Sequence, residues 1–245
     1  MSQEIVRIAM WSGPRNISTA MMRSFGNRAD CHVWDEPYYA AYLKTTGIVH
    51  PMNAEILAAH ESDPLKVEAA LLGALPQGKT VFYQKHMTHH MIPAFSLDWL
   101  DRVTNAFLLR HPASVLASYV MKREDVSLDD IGFRQQAEIF DRVAERTGKV
   151  PVVVEGRDVL ADPAATLSRL CGALGLAFDP AMLSWPAGRR ATDGVWAPHW
   201  YHAVEASTAF GPDKADAEIS ALPLELARIA EAAMPYYEKL RAVKL

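Results

Sequence analysis

The sequence predicts an α/β fold in which one domain, residues 1–245, forms a three-layer sandwich around a central, mostly parallel sheet of about five strands. Short apolar runs alternate along the chain with segments of helical periodicity, an order typical of a parallel sheet with right-handed crossovers. A chain of 245 residues is long enough to bury one full core. Half of its residues are apolar and 22% are charged, as in an ordinary globular protein.

Five runs favour β-strands because they are short, apolar and bounded by turn-forming or polar residues. They span residues 5–10, 31–34, 80–84, 106–109 and 150–154. The last run is apolar on both faces, which predicts a central strand covered by helices on both sides.

Helical periodicity, or residues that start and stop helices, mark the segments between the strands. The predicted helices span residues 17–25, 38–62 (interrupted at Gly47 and Pro51), 64–75, 112–119, 129–147, 163–175 and 223–240. Residues 184–213 are rich in Trp, Gly, Pro and His, and we expect them to form a lid or an ordered loop within the domain.

The formal net charge of −4 argues against binding to nucleic acid or to a membrane surface, because both need a basic face. No apolar run reaches the ~18 residues that cross a bilayer, and no basic segment followed by an apolar one opens the sequence. We therefore expect a cytoplasmic protein without membrane partners. Cys31 and Cys171 lie in apolar runs, so buried thiols are expected rather than a disulfide or a metal pair. Oligomeric state has no signature in the sequence.

The stretch 11–25 combines a strand end, a loop and a helix start. A Ser-Gly-Pro sequence breaks the strand, and apolar residues then recur at helical spacing. Backbone N–H groups at such a helix start, with the Arg15 guanidinium and the hydroxyls of Ser18 and Thr19, form an anion site that phosphate commonly occupies. A plain strand-to-helix turn capped by Asn16 or Ser18 explains the same residues.

This loop lacks the pattern of metal-dependent nucleoside triphosphatases. In those enzymes G-x-x-x-x-G-K-[ST] supplies a lysine to the outer phosphates and a hydroxyl to Mg²⁺. Counted from Gly13, the last three positions hold Ser18, Thr19 and Ala20. Neither the lysine nor the metal-binding hydroxyl is present, so no metal is expected at this loop.

Arg110 and Ser118 indicate a second phosphate site. Arg110 follows the fourth strand, and Ser118 lies eight residues later, two turns into the next helix. Basic residues beyond the carboxyl ends of strands lie where α/β folds bind ligands. Taken alone the pair is a weak signal, because an arginine before a helix-starting proline is common.

Together, the two motifs resemble those of the sulfotransferases that use 3′-phosphoadenosine 5′-phosphosulfate (PAPS). The first motif of that family, a Pro-Lys/Arg-Ser-Gly-Thr-Thr loop after strand one, is similar to residues 14–19. Its second motif has an arginine and a serine at the separation of Arg110 and Ser118. A third region, 153–176, is similar to the family's strand, acidic turn and helix. The resemblance implies a P-loop nucleoside triphosphatase-like fold, PAPS as co-substrate, a small-molecule acceptor and no metal.

The resemblance covers about residues 4–25, 80–120 and 150–178, and it implies a donor site with two parts. The loop would hold the 5′-phosphosulfate, and Arg110 and Ser118 would hold the 3′-phosphate. The loop residues that match the family's donor site are Pro14, Arg15, Asn16, Ser18 and Thr19.

Four residues of the segment 184–213 loosely resemble the family element that folds over the 3′-phosphate and the adenine. They are Arg189, Arg190, Gly194 and Trp196. A segment whose aromatic residues simply pack on the core explains this stretch equally well.

One departure from the family pattern is Asn16-Ile17, which replaces the Ser-Gly of the family loop. A β-branched residue such as Ile17 does not adopt a positive φ at low cost. Either the loop keeps a negative φ at Ile17, or its shape differs from that of the family loop. Because of the same departure, a second function stays open, in which the protein binds a nucleotide but does not catalyse a reaction.

Sulfuryl transfer needs positioned reactants, cations near the leaving oxygen and a base for the acceptor proton. Lys85 matches the family's lysine at the end of strand three, and the resemblance assigns it to the leaving group. Glu36, at the end of strand two, resembles the glutamate of some sulfotransferases and is the favoured base. His86 is the second candidate. A solvated carboxylate and a structural histidine are the ordinary explanations of these two residues.

Two alternatives stay open at this point. His86, His89 and His90 have spacings that place two zinc ligands on one helical face, but no HExxH or paired-cysteine pattern accompanies them, so no metal is expected. A metal-independent kinase-like or hydrolytic phosphotransferase is the alternative enzyme on the same fold. The class of acceptor is not readable, because the segments expected to line its pocket, 38–75 and 184–213, match the family poorly.

Overall fold

The computed structural model describes residues 5–119, 126–212 and 215–245. The last residue of the predicted segment 184–213 lies outside the described residues, as does the end of the matched region 80–120. The same holds for residues 1–4 of the predicted domain.

All five predicted strands are present and form one sheet. They span Val6–Ser12 (β1), Cys31–Asp35 (β2), Val81–Met87 (β3), Thr104–Leu109 (β4) and Val152–Glu155 (β5). Their order across the sheet is β2-β3-β1-β4-β5, and every neighbouring pair is parallel. The predicted α/β fold is therefore confirmed, and the carboxyl ends of all five strands meet at one edge of the sheet.

The prediction that residues 150–154 form a central strand is wrong. In the described part of the chain β5 lies at the edge of the sheet and pairs with β4 alone, whereas β1 is central. Val153 and Val154 are nonetheless buried, because helices pack against both faces of the strand. A strand that is apolar on both faces is expected to have helices packed on both faces. The pattern does not indicate whether the strand has a neighbouring strand on one side or on both.

Helices fill the connections between the strands and most of the chain after β5. They span Ser18–Gly26 (α1), Tyr39–Thr46 (α2), Asn53–Ala59 (α3), Pro64–Leu71 (α4), Pro112–Tyr119 (α5), Phe133–Thr147 (α6), Gly156–Ala161 (α7), Pro163–Ala173 (α8), Ala197–Trp200 (α9), His202–Glu205 (α10) and Leu224–Arg241 (α11). Short 3₁₀ turns lie at Thr88–His90, Asp98–Arg102, Pro180–Leu183 and Ile219–Ala221.

Local chemistry sets several of these boundaries. The predicted segment 38–62 breaks into α2 and α3, and Gly47 ends α2 in the left-handed region at φ 72°. α8 begins at Pro163, and the side chain of Asp162 accepts a hydrogen bond from Ala165 N. α7 was not predicted, because six residues are too few to establish a helical period.

Two apolar clusters fill the space on either side of the sheet, and β1 contributes alternate residues to each. Ile8 and Met10 pack in the cluster that contains α1 and α8. Ala9 and Trp11 pack in the cluster that contains α5, α6 and α11. This alternation places one helical layer on each face and confirms the three-layer sandwich.

The described part of segment 184–213 folds back on itself around α9 and α10. Ser184 forms an isolated antiparallel bridge with Ala209, and Trp185 N donates to Thr208 O at 2.8 Å. Elsewhere in the described chain, Cys31 and Cys171 are buried free thiols. None of the described helices has the length and hydropathy needed to cross a bilayer.

Candidate active site

A cavity of about 420 Å³ opens at the carboxyl ends of the strands, where the fold brings the loop after β1 together with the ends of β2, β3 and β4. Nine of the residues predicted for the site line this cavity. They are Pro14, Arg15, Asn16, Ser18, Thr19, Glu36, Lys85, Arg110 and Ser118.

The loop after β1 keeps a negative φ at Ile17, with φ −83°, and the positive φ falls instead on Arg15, at 56°. The Asn16 side chain fixes this shape, because its Oδ1 accepts from Ile17 N at 2.8 Å and its Nδ2 donates to Leu108 O at 3.1 Å. α1 begins at Ser18 and has no side-chain cap among the described residues. Neither Asn16 nor Ser18 therefore caps α1, and the start of α1 forms part of the cavity wall.

Arg15, Arg110 and Ser118 meet at one end of the cavity. Arg110 Nη1 donates to the carbonyl oxygen of Arg15, and Arg15 Nε donates to Ser118 Oγ at 3.1 Å. Burial lowers the pKa of Arg110, and the nearby charge of Arg15 lowers it further, with Asp216 opposing. Two guanidinium groups held side by side repel each other, and an anion bound between them would relieve the repulsion.

Lys85 lies at the centre of a second polar group, on the other side of the loop. Its Nζ contacts Asp35 Oδ1 at 2.8 Å, Glu36 Oε1 at 2.5 Å and the Tyr201 hydroxyl at 2.8 Å. Burial alone would lower the pKa of Lys85, but the charges of Asp35 and Glu36 outweigh it and raise the pKa well above its ordinary value. Lys85 is therefore a buried, fully charged ammonium.

Glu36 turns out of β2 into the cavity through an unusual backbone conformation, with φ 43°. Its N–H donates to Lys85 O at 2.9 Å, and its carbonyl oxygen accepts from Tyr39 N at 3.0 Å at the entry to α2. Burial raises the pKa of the Glu36 carboxyl, and Lys85 opposes this rise. The result is a carboxylate on the cavity wall that is a stronger base than a solvated one.

His86 lies on the opposite face of the sheet from Lys85, because neighbouring residues of a strand point to opposite faces. Its ring stacks on Trp11 with 4.5 Å between ring centroids, and its Nε2 lies 3.3 Å from Gln84 Oε1. Burial lowers the pKa of His86 to about 3. His86 is absent from the described residues that line the cavity.

The beginning of α2 and the turn after β3 close the far end of the cavity with aromatic rings. Tyr39 stacks on His90 with 4.6 Å between centroids, and its hydroxyl lies 2.9 Å from His50 Nδ1. Burial lowers the pKa of His90 well below its ordinary value, so this imidazole is neutral. The described residues contain no group of three His, Cys, Asp or Glu side chains placed to hold a metal ion.

Among the described lining residues of the cavity that contains Arg110, none is one of the four residues predicted from segment 184–213. Gly194 N donates to Asp35 Oδ2 at 3.1 Å, and Trp196, 1% exposed, donates from Nε1 to the Tyr201 hydroxyl at 3.1 Å. Arg190 lines a separate cavity of about 290 Å³ with Arg23 and Lys79. Arg189 is exposed.

The sequence did not predict that Asp35 and Tyr201 contact Lys85 in the site. The signal for Asp35 was a carboxylate at the end of a buried strand, and Lys85 lies at the paired position of the neighbouring strand β3. Tyr201 carried no comparable signal, because its contact with Lys85 spans 116 residues of sequence and depends on the path of an irregular segment.

Comparisons with known proteins identify the family of the chain. A family model described as a sulfotransferase domain matches residues 6–244. Two proteins of Arabidopsis thaliana, branched-chain-amino-acid aminotransferase-like proteins 2 and 1, are 33% and 34% identical over 235 and 236 residues. These alignments cover 96% of the chain, which spans 41% of the length of each relative.

Two solved structures show the same fold. The sulfotransferase domain of the Synechococcus PCC 7002 olefin synthase has a TM-score of 0.55 at 16% identity, covering 95% of this chain and 96% of that domain. A sulfotransferase from Alicyclobacillus acidocaldarius has a TM-score of 0.55 at 13% identity, covering 97% of this chain and 95% of the other. With the family model matched over almost all of its length, the chain belongs to the sulfotransferase domain family.

Proposed function

We propose that the protein transfers a sulfuryl group from PAPS to a hydroxyl or amine of a small acceptor. The observation that carries this proposal is the pair of cationic positions in one cavity, the loop after β1 and the Arg110–Ser118 group. PAPS carries a phosphate at each end of its ribose and needs two such positions. Membership of the sulfotransferase domain family supports the same assignment.

The donor site divides its work between these positions. The start of α1 and the side chains of Arg15, Ser18 and Thr19 hold the 5′-phosphosulfate, and Arg110 with Ser118 holds the 3′-phosphate. Pro14 and Asn16 shape the loop.

For the four residues of segment 184–213, the geometry supports other roles. Gly194 and Trp196 support the Lys85 group through Asp35 and Tyr201. Arg189 and Arg190 take no part in donor binding in this proposal.

The transfer itself uses Glu36 and Lys85. Glu36 accepts the proton of the acceptor hydroxyl while the acceptor oxygen bonds to sulfur and the bond from sulfur to the phosphate oxygen breaks. Lys85 stabilises the charge that forms on that phosphate oxygen. Glu36 is preferred to His86 as the base because Glu36 lines the cavity and His86 faces the opposite side of the sheet.

The experiment is calorimetry with the product nucleotide, 3′-phosphoadenosine 5′-phosphate (PAP). We expect saturable binding that Arg15→Ala and Arg110→Ala each weaken by about 10- to 100-fold, because each removes charge-assisted hydrogen bonds to a phosphate. Arg146→Ala is the matched control, since Arg146 is exposed and paired with Asp101 away from the cavity. Absence of both a heat signal and a rise in melting temperature, or preferential binding of ATP with Mg²⁺, would overturn the proposal.

A further inference from the structure

All three N–H groups of Lys85 already have acceptors. An ammonium has three donors, and Lys85 Nζ lies within 2.8 Å of oxygens of Asp35, Glu36 and Tyr201. In this arrangement Lys85 has no N–H to offer a departing phosphate oxygen. One of the three contacts has to be given up before the lysine can act on the leaving group.

Two of the three acceptors, Asp35 and Tyr201, are held in place by further hydrogen bonds. The Tyr201 hydroxyl accepts from Lys85 and from Trp196 Nε1 at 3.1 Å, and donates to Asp35 Oδ2 at 2.7 Å. Asp35 Oδ2 also accepts from Gly194 N at 3.1 Å. Both oxygens of Asp35 are therefore engaged, and its side chain is 1% exposed.

Glu36 is the acceptor that can release Lys85. Its side chain is 11% exposed and lines the cavity, whereas Asp35 does not line it. Glu36 is also the group that gains a proton during transfer, and a neutral carboxyl is a much weaker acceptor for an ammonium than a carboxylate. Protonation of Glu36 thus weakens one specific contact of Lys85 and leaves the other two intact.

We propose that Asp35 and Tyr201 are positioning residues that hold Lys85 against Glu36, and that protonation of Glu36 frees one N–H of Lys85 for the departing phosphate. This inference rests on the proposed function. The acceptor proton moves to Glu36, the acceptor oxygen bonds to sulfur, and the electron pair of the broken bond stays on the phosphate oxygen. Lys85 remains an ammonium throughout and turns one N–H from Glu36 to that oxygen.

Charged and titratable groups from several parts of the fold surround Glu36 and Lys85. Among the described residues, those that interact with this group are Asp35 at the end of β2, His60 after α3, Tyr83 and His90 on and after β3, and Tyr201 after α9. Arg15, His50 and His89 line the same cavity as Glu36. Burial lowers the pKa of both His60 and His90 and raises that of Tyr83. Glu36 is the group expected to take up a proton when a phosphate arrives, because it is the acceptor that loses its contact with Lys85. Comparison with Glu36→Gln distinguishes this uptake from that of the cavity histidines.

The first test measures proton uptake on PAP binding, by calorimetry at pH 8 in two buffers with different heats of ionisation. If the 5′-phosphate draws one N–H of Lys85 away from Glu36, the Glu36 carboxylate loses this contact and gains a proton. The wild-type protein should therefore take up protons as it binds PAP. Glu36→Gln should show no uptake. Adenosine 3′-phosphate, which lacks the 5′-phosphate, should cause no uptake in either protein.

The second test measures the affinity for PAP in three variants. Glu36→Gln imitates the protonated carboxyl, and Tyr201→Phe removes one acceptor from Lys85, so each should tighten PAP binding by about tenfold, the effect of one added charge-assisted hydrogen bond. Asp35→Asn removes a negative charge but keeps an acceptor oxygen, and it should tighten binding less than Glu36→Gln. Tyr236→Phe, on α11, is the matched control and should change nothing.

The outcomes separate this inference from the function on which it rests. If the wild-type protein does not bind PAP, the proposed function is refuted. Three outcomes would overturn the inference without affecting the proposed function. They are PAP binding without proton uptake, a lower affinity for PAP in Tyr201→Phe than in the wild type, and an equal gain in PAP affinity in Asp35→Asn and Glu36→Gln. A purely structural role for Tyr201 predicts weaker binding in Tyr201→Phe, the opposite of the expected sign.

Discussion

Lys85 and His86 show how one step along a strand separates a cavity residue from a core residue. Lys85 lines the cavity, whereas His86 stacks on Trp11 beneath the sheet. The sequence left Glu36 and His86 as rival bases because the direction of a side chain depends on the pairing of β3, which the residue letters alone do not specify. The pairing of Asp35 with Lys85 in the sheet places Asp35 against the ammonium, and the backbone turn at Glu36, with φ 43°, brings the next carboxylate to it as well.

The choice of base leads to a prediction about turnover. Glu36→Gln should lower kcat by about 10²- to 10⁴-fold, the usual contribution of a general base. His86→Gln should keep kcat within about threefold, since the ring lies outside the cavity and an amide can replace its polar contact with Gln84. Steady-state kinetics with PAPS and any accepted phenol or alcohol measures both. A larger loss in His86→Gln than in Glu36→Gln would assign the base to His86.

At the scale of elements, the phosphate loop is supported by the start of α7, an element that the sequence did not reveal. A Cβ added to Gly156 would lie 2.9 Å from Asn16 Oδ1 and 3.3 Å from Leu109 O. Asn16 in turn ties the loop to β4 through Leu108 O. Gly156 therefore allows β5 and α7 to approach the loop closely enough to fix it.

Gly156→Ala should lower the melting temperature and weaken PAP binding together, because the added methyl group pushes Asn16 out of its hydrogen bonds. Gly172→Ala in α8 is the matched control: a Cβ there meets nothing within 4 Å, so we expect unchanged binding and equal or slightly higher stability. Differential scanning fluorimetry and calorimetry with PAP measure the two effects. Normal PAP affinity in Gly156→Ala would show that the loop does not depend on this contact.

The elements also show what sequence patterns can and cannot determine. The strands and most helices were predicted because apolar periodicity and helix-capping residues act over a few positions, as at Asp162 and Pro163. The edge position of β5 was not, since coverage of a strand's faces is independent of its place in the sheet. The negative φ of Ile17 became clear only in three dimensions, where Arg15 takes the left-handed conformation instead.

Across the whole molecule, the strand order places the loop after β1 in the middle of the cavity and divides the lining into two sides. Arg110, Ser118 and Leu160 lie on the β4–β5 side, which we propose for the nucleotide, and Glu36 and the rings around His90 lie on the β2–β3 side, which we propose for the acceptor. The nucleotide side was predictable because its residues sit at fixed spacings after strands. On the acceptor side Glu36 was predictable for the same reason, whereas Tyr39 and His50 come from segments without a motif and escaped prediction.

Buried neutral histidines make the stability of the whole domain depend on pH. The pKa of His86 is about 3 in the folded protein, well below its value of ~6.5 in an unfolded chain, so the unfolded state takes up a proton first as the pH falls. His86 therefore destabilises the fold progressively between about pH 6.5 and pH 3, by up to ~1.4 kcal/mol per pH unit.

Urea unfolding of the wild-type protein and of His86→Gln at pH 7.5, 6 and 5 tests this dependence. The free energy of unfolding of the wild type should fall more steeply with decreasing pH than that of the variant. The difference between the two curves isolates His86 from the other titrating groups. Parallel curves would show that the ring is protonated without penalty in the folded state.

The left-handed backbone of Arg15 makes stability and activity compete at one position. A non-glycine residue at φ 56° is strained, so Arg15→Gly should exceed Arg15→Ala in free energy of unfolding by about 1 kcal/mol, while both variants lose PAP affinity. Urea unfolding compares the two variants directly, and equal stabilities would refute the strain. If the difference is found, a screen for thermal resistance alone will favour glycine at position 15 and will recover inactive variants. Such a screen therefore needs nucleotide binding as a second criterion.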